Sequence, residues 1–242
     1  QNFPGDVQIR GTTFIKANTA TDNLAIGTDA GLTSQGASAV AVGYSAGENA
    51  QGANSVAIGV VAGSADQGAN SVAVGNAAGC SAQGDGATAI GVVAGRASQG
   101  ANATAVGYAA GSNAQGAYAT AVGREAGFNA QGASAVAMGY LAGSASQGAS
   151  AVAIGVNAGL NAQGTQSVAV GYLAAQVSQG TNSVAIGNQT GKNAQGASAT
   201  AVGVLAGLTS QGASAVAVGQ SAGFNAQGAN SVAIGTDAGR LS

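Results

Sequence analysis

The sequence predicts an all-β fold in which the chain winds into a parallel β-solenoid of about 14 coils. A glycine recurs every 16 residues from Gly27 to Gly235 without insertion or deletion. Within each 16-residue unit, β-branched residues stand two apart, which is the side-chain period of a strand. Apolar residues make up 46% of the chain and charged residues only 6%. This balance is typical of an ordered chain, because disordered chains combine low hydrophobicity with high net charge.

The chain divides into two regions by its repeat pattern. Residues 1–22 lack the repeat and are predicted to form a cap or a connector, whereas residues 23–242 form the repeat region. The chain begins at Gln1 without a charged and then apolar leader, so we expect it to be a processed fragment.

Each unit contains one predicted strand, as in the segment of residues 54–58. Its branched residues form a large apolar face and its alanines form a small one. The residues predicted to pack through the large face are Val56, Ile58, Val72, Val74, Val184 and Ile186. One coil has only one inside, and a strand that is apolar on both faces is normally buried on both. The outward face is therefore expected to be covered by oligomerisation.

Three glycines in each unit are predicted to turn the chain. They are the marker glycine, a second glycine four residues later, and a third that follows a glutamine. Corners of a narrow coil need positive φ or close backbone approach, which glycine permits at low cost. The predicted turn residues are Gly43, Gly47, Gly52, Gly59, Gly63 and Gly68.

A glutamine recurs in the same position of the units and has two interpretations. Stacked copies could form a ladder of amides that hydrogen-bond between adjacent coils, or they could bind a ligand. We favour the structural ladder. Its first members are Gln35, Gln51, Gln67, Gln83 and Gln99.

Tyrosines occupy the variable position directly after four of the marker glycines. They are candidate surface-contact residues, because tyrosine offers a large area with a polar tip, although packing at a chain boundary is the alternative. These residues are Tyr44, Tyr108, Tyr140 and Tyr172.

Composition excludes several classes of function. No histidine occurs in the chain, so the usual general base and the commonest metal ligand are missing. The eight carboxylates occupy scattered positions of the repeat and form no pair or ladder. The six basic residues form no stripe for nucleic acid, and no apolar run is long enough for membrane insertion. We predict no catalytic residues, no metal, no cofactor and no enzymatic activity.

The string NSVAIG occurs at residues 54–59, 182–187 and 230–235. It resembles the head repeat of YadA-like trimeric autotransporter adhesins, although their usual repeat has 14 residues rather than 16. The resemblance implies a left-handed parallel β-roll, a side-by-side homotrimer and an extracellular location. It also implies attachment to host surface glycans or matrix proteins. Similar repeats in tail-fibre or spike proteins of phages and algal viruses make a virion surface the other implied location.

These observations predict a structural and adhesive module of a surface fibre that presents a repetitive neutral surface. Two alternatives are an ice-binding β-solenoid and a self-assembling extracellular filament subunit. A flat ice-binding face would need threonine in one outward position throughout. Thr88, Thr104, Thr120 and Thr200 instead share their position with valines.

Overall fold

A computed structural model describes residues 7–9, 12–18 and 21–240 of the chain. Their regular elements are all strands, and the fold is an all-β parallel β-solenoid of about 13 turns. The predicted fold class is confirmed, with about one turn fewer than expected. The chain forms two compact units, Gln1–Tyr118 and Ala119–Ser242.

The first unit contains 13 strands in its described residues. In chain order they are β1 (Val7–Ile9), β2 (Thr12–Asn18), β3 (Asn23–Ile26), β4 (Val40–Val42), β5 (Asn49–Gln51), β6 (Val56–Ile58), β7 (Ala65–Gln67), β8 (Val72–Val74), β9 (Ser81–Gln83), β10 (Thr88–Ile90), β11 (Ala97–Gln99), β12 (Thr104–Val106) and β13 (Asn113–Gln115). Its first sheet runs in the order β1-β2-β3-β4-β6-β8-β10-β12, and its second sheet runs β5-β7-β9-β11-β13.

The second unit has the same two-sheet design. Its strands are β14 (Thr120–Val122), β15 (Asn129–Gln131), β16 (Val136–Met138), β17 (Ala145–Gln147), β18 (Val152–Ile154), β19 (Asn161–Gln163), β20 (Val168–Val170), β21 (Val177–Gln179), β22 (Val184–Ile186), β23 (Asn193–Gln195), β24 (Thr200–Val202), β25 (Thr209–Gln211), β26 (Val216–Val218) and β27 (Val232–Ile234). The first sheet runs β14-β16-β18-β20-β22-β24-β26-β27, and the second runs β15-β17-β19-β21-β23-β25.

Successive coils pair in parallel with a register of one 16-residue repeat. Val56 pairs with Val72, for example, and Ile58 pairs with Val74. The backbone N–H of Val56 donates to the Ser71 carbonyl at 2.9 Å, and that of Gly59 donates to the Val42 carbonyl at 2.8 Å. Within each unit, adjacent coils are thus joined by backbone hydrogen bonds.

The first two strands lie in the segment that lacks the repeat. Strand β1 pairs with β2 in antiparallel fashion. Strand β2 in turn pairs antiparallel with β3, which is the first strand of the parallel stack. The described part of residues 1–22 therefore contributes β2, which runs opposite to the repeat strands, and β1, which runs in their direction.

The second strand of each coil was not predicted. It is a three-residue segment such as β5, whose sequence is Asn-Ala-Gln. The segment contains no β-branched residue, and its central Ala50 has the left-handed φ of 53°. Only its outer residues pair with the next coil, Asn49 with Ala65 and Gln51 with Gln67. A strand this short, with a left-handed residue in its middle, leaves no alternating pattern in the sequence.

Candidate interaction surfaces

The interior of each unit is built almost entirely from alanine. The central alanine of the first-sheet strands is completely buried, as at Ala57 and Ala153, and so is the alanine before the second glycine, as at Ala62. The position before the first-sheet strand is a buried alanine or serine, and Ser55 Oγ donates to the Gly52 carbonyl at 2.6 Å. The coil is thin because its two sheets are separated by little more than methyl groups. The small face of the strand is therefore inside and the large face is outside.

The interior also contains one long side chain per coil, the glutamine that ends the second-sheet strand. Gln67 is 2% exposed, and its Nε2 donates to the Val56 carbonyl of the first sheet at 2.9 Å. The same amide group donates to Gln83 Oε1 of the next coil at 3.2 Å. The glutamine thus joins the two sheets within a coil as well as adjacent coils. The bond across the coil was not predicted.

The amide ladder is interrupted at several levels. Continuous runs link Gln67, Gln83, Gln99 and Gln115 in the first unit, and Gln179, Gln195, Gln211 and Gln227 in the second. Gln35 is half-buried and donates to the Leu24 and Ala39 carbonyls. The Oε1 atoms of Gln51, Gln67, Gln147 and Gln179 are buried without a hydrogen-bond partner among the described residues. The glutamines from Gln51 to Gln227 are at most 4% exposed, so their amide groups lie inside the coil rather than on its surface.

The constraint that requires glycine differs among the three predicted turn positions. Gly43 has φ of 129°, and a Cβ there would lie 2.5 Å from the Gly59 carbonyl oxygen. Gly47 has φ of 53°, and its Cβ would lie 2.6 Å from Gln51 Oε1. Gly52 does not have a left-handed φ, but its Cβ would collide with the backbone of Gly68. Gly59, Gly63 and Gly68 repeat these three environments one coil later.

Positive φ alone does not require glycine in this fold. Ser45, Ala50 and Asn54 have φ of 49°, 53° and 56°, and other non-glycine residues in these positions, such as Val61 and Leu141, are also left-handed. Each carries a strain of about 1 kcal/mol or more. Glycine is kept where a Cβ would also meet a neighbouring atom, so close approach is the stronger constraint.

Ala175 is an exception, since it stands where the other coils have the second glycine. It keeps a left-handed φ of 46°, and it is completely buried. At the equivalent Gly159, a Cβ would lie 2.7 Å from Gln163 Oε1. Gln163 Nε2 donates only to the Val152 and Ser167 carbonyls, and Gln179 Oε1 lacks a partner. The Oε1 atoms of Gln51, Gln67 and Gln147 also lack a partner although their coils have glycine at this position, so the gap does not require the alanine methyl group.

Ala175→Gly is expected to raise the free energy of unfolding by about 1 kcal/mol, because it relieves the left-handed strain at this position. Urea unfolding followed by circular dichroism measures the change. The matched control is Ala174→Gly, which makes the same chemical change at a buried neighbour without a positive φ. The control is expected to lower the stability. An Ala175→Gly chain less stable than the unsubstituted one would contradict this explanation.

The branched residues of the first-sheet strands form what we call the outward apolar stripe. It consists of the first and third residues of β4, β6, β8, β10 and β12 in the first unit, and of β14, β16, β18, β20, β22, β24, β26 and β27 in the second. Ile58, Ile90, Met138, Ile154 and Ile186 are between 38% and 42% exposed. The predicted packing residues therefore face away from the coil that contains them. No charged residue lies in the stripe.

The tyrosines flank this stripe. Tyr44, Tyr108, Tyr140 and Tyr172 are between 41% and 55% exposed, directly after the marker glycine that closes a first-sheet strand. The Arg124 guanidinium lies 5.6 Å from the centre of the Tyr140 ring and pairs with Glu125 at 3.0 Å. Tyr118 is 66% exposed and was missed, because it occupies a position that holds small polar residues in most other coils.

Charged side chains are sparse among the described residues. Two ion pairs occur, Arg124 with Glu125 and Arg240 with Asp237, and both are exposed on at least one side. No group of three or more carboxylate or thiol side chains in the described part of the chain could hold a metal ion. No helix in that part is long and apolar enough to cross a membrane.

The geometry defines a class of protein, a parallel β-solenoid of 16-residue coils with an alanine interior and an uncharged apolar stripe outside. The family model described as the YadA head domain repeat matches residues 146–174, 162–190 and 210–238, all in the second unit. The chain therefore contains YadA head domain repeats, as the NSVAIG strings predicted. The parallel register agrees with their recurrence every 16 residues. A comparison with curated protein sequences finds no match.

Proposed function

We propose that the chain is a structural and adhesive module of an extracellular fibre, in which three copies pack side by side through the outward apolar stripe. The stripe itself is the observation that supports this proposal most strongly. Ile58, Ile90, Ile154 and Ile186 are about two-fifths exposed in a single chain, and valine, methionine or isoleucine occupies the same position of the other coils. Exposed apolar patches of more than a few hundred Å² are rare on monomers and mark interaction sites.

A further copy of the same chain is the partner that fits the stripe. The stripe is uncharged and repeats at the spacing of parallel strands, about 4.8 Å. Three chains with their stripes turned towards a common axis would place the same residue of each chain at one level. Such layers exclude water from the branched side chains without any change in the coils. The family supports this number, since YadA-like adhesins are homotrimeric.

The location and the absence of catalysis follow the same reasoning. YadA head proteins are surface-exposed adhesins, so we place the fibre outside the cell, on a cell surface or a virion surface. The repeat is a structural one, and the described residues bring no nucleophile and base together. Residues 1–22 act as a cap in this proposal, because β2 occupies the edge of β3 that the parallel stack leaves open.

Attachment would use the surfaces that remain outside the trimer. The outer side of the second sheet carries small neutral residues such as Asn161, Ala162 and Asn193, and exposed tyrosines stand beside the stripe. A neutral surface of this kind suits hydrogen bonding and ring stacking with host glycans or matrix proteins. Beads coated with the chain, presented to a glycan array and to collagen, test this part. Binding no better than that of uncoated beads would contradict it.

The outward apolar stripe also leads to a prediction about the oligomeric state. Ile154→Asp combined with Ile186→Asp is expected to dissociate the trimer, because each charge would be buried without a partner. The association constant should fall on the order of a thousandfold or more. Native mass spectrometry at a series of protein concentrations measures the change.

A matched control keeps the charge and the spacing. Asn161→Asp combined with Asn193→Asp adds two carboxylates, again two coils apart, on exposed positions of the second sheet. This variant is expected to stay trimeric. Equal masses for the two double variants would contradict the assignment of the stripe as the interface.

A further inference from the structure

The outward apolar stripe is interrupted by threonine at four levels. Thr88 and Thr104 take the place of valine in the first unit, and Thr120 and Thr200 do so in the second. Their strands have the same parallel register as the valine strands, so each threonine occupies the same outward position as its valine neighbours. The threonines stand on the last two first-sheet strands of the first unit, and on the first and sixth first-sheet strands of the second unit.

Among the described residues, the hydroxyls of these threonines have no hydrogen-bond partner. Thr33 and Thr209 lie elsewhere on the coil, and their hydroxyls donate to the carbonyls of Glu48 and Phe224 in the next coil. The side chains of Thr88, Thr104, Thr120 and Thr200 make no such bond to any described residue. Each is half-buried in the single chain, so a covering partner would remove its remaining water.

We infer that these threonines fix the axial register of the assembly, an inference that rests on the trimer proposed above. When the three chains are in axial register, three copies of one threonine meet at the trimer axis. A hydroxyl is both a donor and an acceptor, so each can donate to the next and close a ring of three bonds. No hydroxyl in that ring is left unsatisfied.

A slip of one chain by one coil breaks these rings. In the first unit it brings Val72 to the level of the partners' threonines at position 88. In the second unit the same slip brings Val184 to the level of the partners' Thr200, and it moves Thr120 to the level of the partners' Val136. A buried hydroxyl without a partner disfavours the slipped state on the order of tenfold at each level. Without threonine, a slip would lose only the contacts of one terminal coil, because all other levels present similar branched residues.

The differences in side-chain size along the stripe discriminate less strongly between the in-register and the slipped arrangement. Val42, Ile58, Val74 and Ile90 alternate in size along the first unit, but Ile and Val differ by one methylene group. Apolar contacts tolerate such a change by small side-chain adjustments. A single polar residue in an apolar seam, by contrast, specifies register in coiled coils at a cost in stability. The threonine levels are the counterpart of that arrangement on a β-solenoid.

Disulfide trapping between two marked chains tests the inference. Both chains carry Cys80→Ser, which removes the native thiol. One chain carries Val74→Cys and the other carries Ile90→Cys, and tags of different length distinguish them. In-register chains form disulfides only between equal positions, whereas a one-coil slip brings positions 74 and 90 to the same level. The discrimination is sharp because a disulfide needs Cβ atoms about 4 Å apart and the coil offset adds about 4.8 Å.

The unsubstituted stripe is expected to give mixed disulfides at less than about a tenth of the yield of equal-position disulfides. Replacing all four threonines by valine should bring the mixed disulfides to a comparable yield while the protein stays trimeric. Replacing them by serine keeps the hydroxyls and should keep the register. The inference is overturned if the valine variant stays in register, or if the unsubstituted trimer already gives both disulfides equally. A monomeric unsubstituted chain would overturn the proposed trimer itself.

Discussion

Gly212→Ala is expected to lower the free energy of unfolding by about 3 kcal/mol, although it adds only one methyl group. The new Cβ would lie 2.5 Å from the backbone nitrogen of Ala229 and 2.7 Å from the Gly228 carbonyl carbon in the next coil. The neighbouring coil cannot move away, because the Gly212 N–H donates to the Gln227 carbonyl at 2.7 Å. Urea unfolding followed by circular dichroism measures the loss.

Gly228 provides the matched control for this prediction. It occupies the same position of the repeat, and neither glycine has a left-handed φ, but a Cβ at Gly228 meets no atom within 4 Å. Gly228→Ala is therefore expected to change the stability by less than about 0.5 kcal/mol. If both variants lost the same stability, backbone entropy rather than the distance between coils would explain the glycine.

Ala153→Leu is expected to have a comparable effect from inside the coil. Ala153 is completely buried, and its strand neighbours in the adjacent coils are Ala137 and Ala169. The separation of the two sheets is set by the 16-residue coil and by the glutamine that bridges them, so three additional carbon atoms have no space. Overpacking of this kind costs about 3 kcal/mol, and thermal unfolding should show a clear fall in the midpoint.

The exposed Ala149 allows the same substitution outside the coil. Ala149→Leu should leave the midpoint within about 2 °C of the unsubstituted chain. A chain that accepts leucine at Ala153 without loss would show that the interior is loosely packed. That result would contradict the description of a thin coil filled by methyl groups.

The repeat period and the first-sheet strand could be predicted because both are visible as spacing in the sequence. A residue of one coil pairs with the residue 16 positions later, as Val152 does with Val168. The 16-residue period of the sequence therefore gives the register in which adjacent strands pair. The second-sheet strand could not be predicted, since its central residue is left-handed and its side chains are small and polar.

The orientation of the strand faces required the three-dimensional structure. Alanine stands between valine and isoleucine in β6, and either face could have pointed inward by hydrophobicity alone. The structure places Ala57 inside because the coil has room only for methyl groups between its sheets. The bridge from Gln67 to the Val56 carbonyl depends on the same narrow cross-section, which the sequence does not state.

The native mass of the unsubstituted chain, measured by sedimentation equilibrium over a range of concentrations, tests the central claim most directly. The outward apolar stripe predicts a single species of three chains that persists on dilution. A species of one chain at every concentration would mean that the stripe is stable in contact with water, and it would contradict the trimeric fibre.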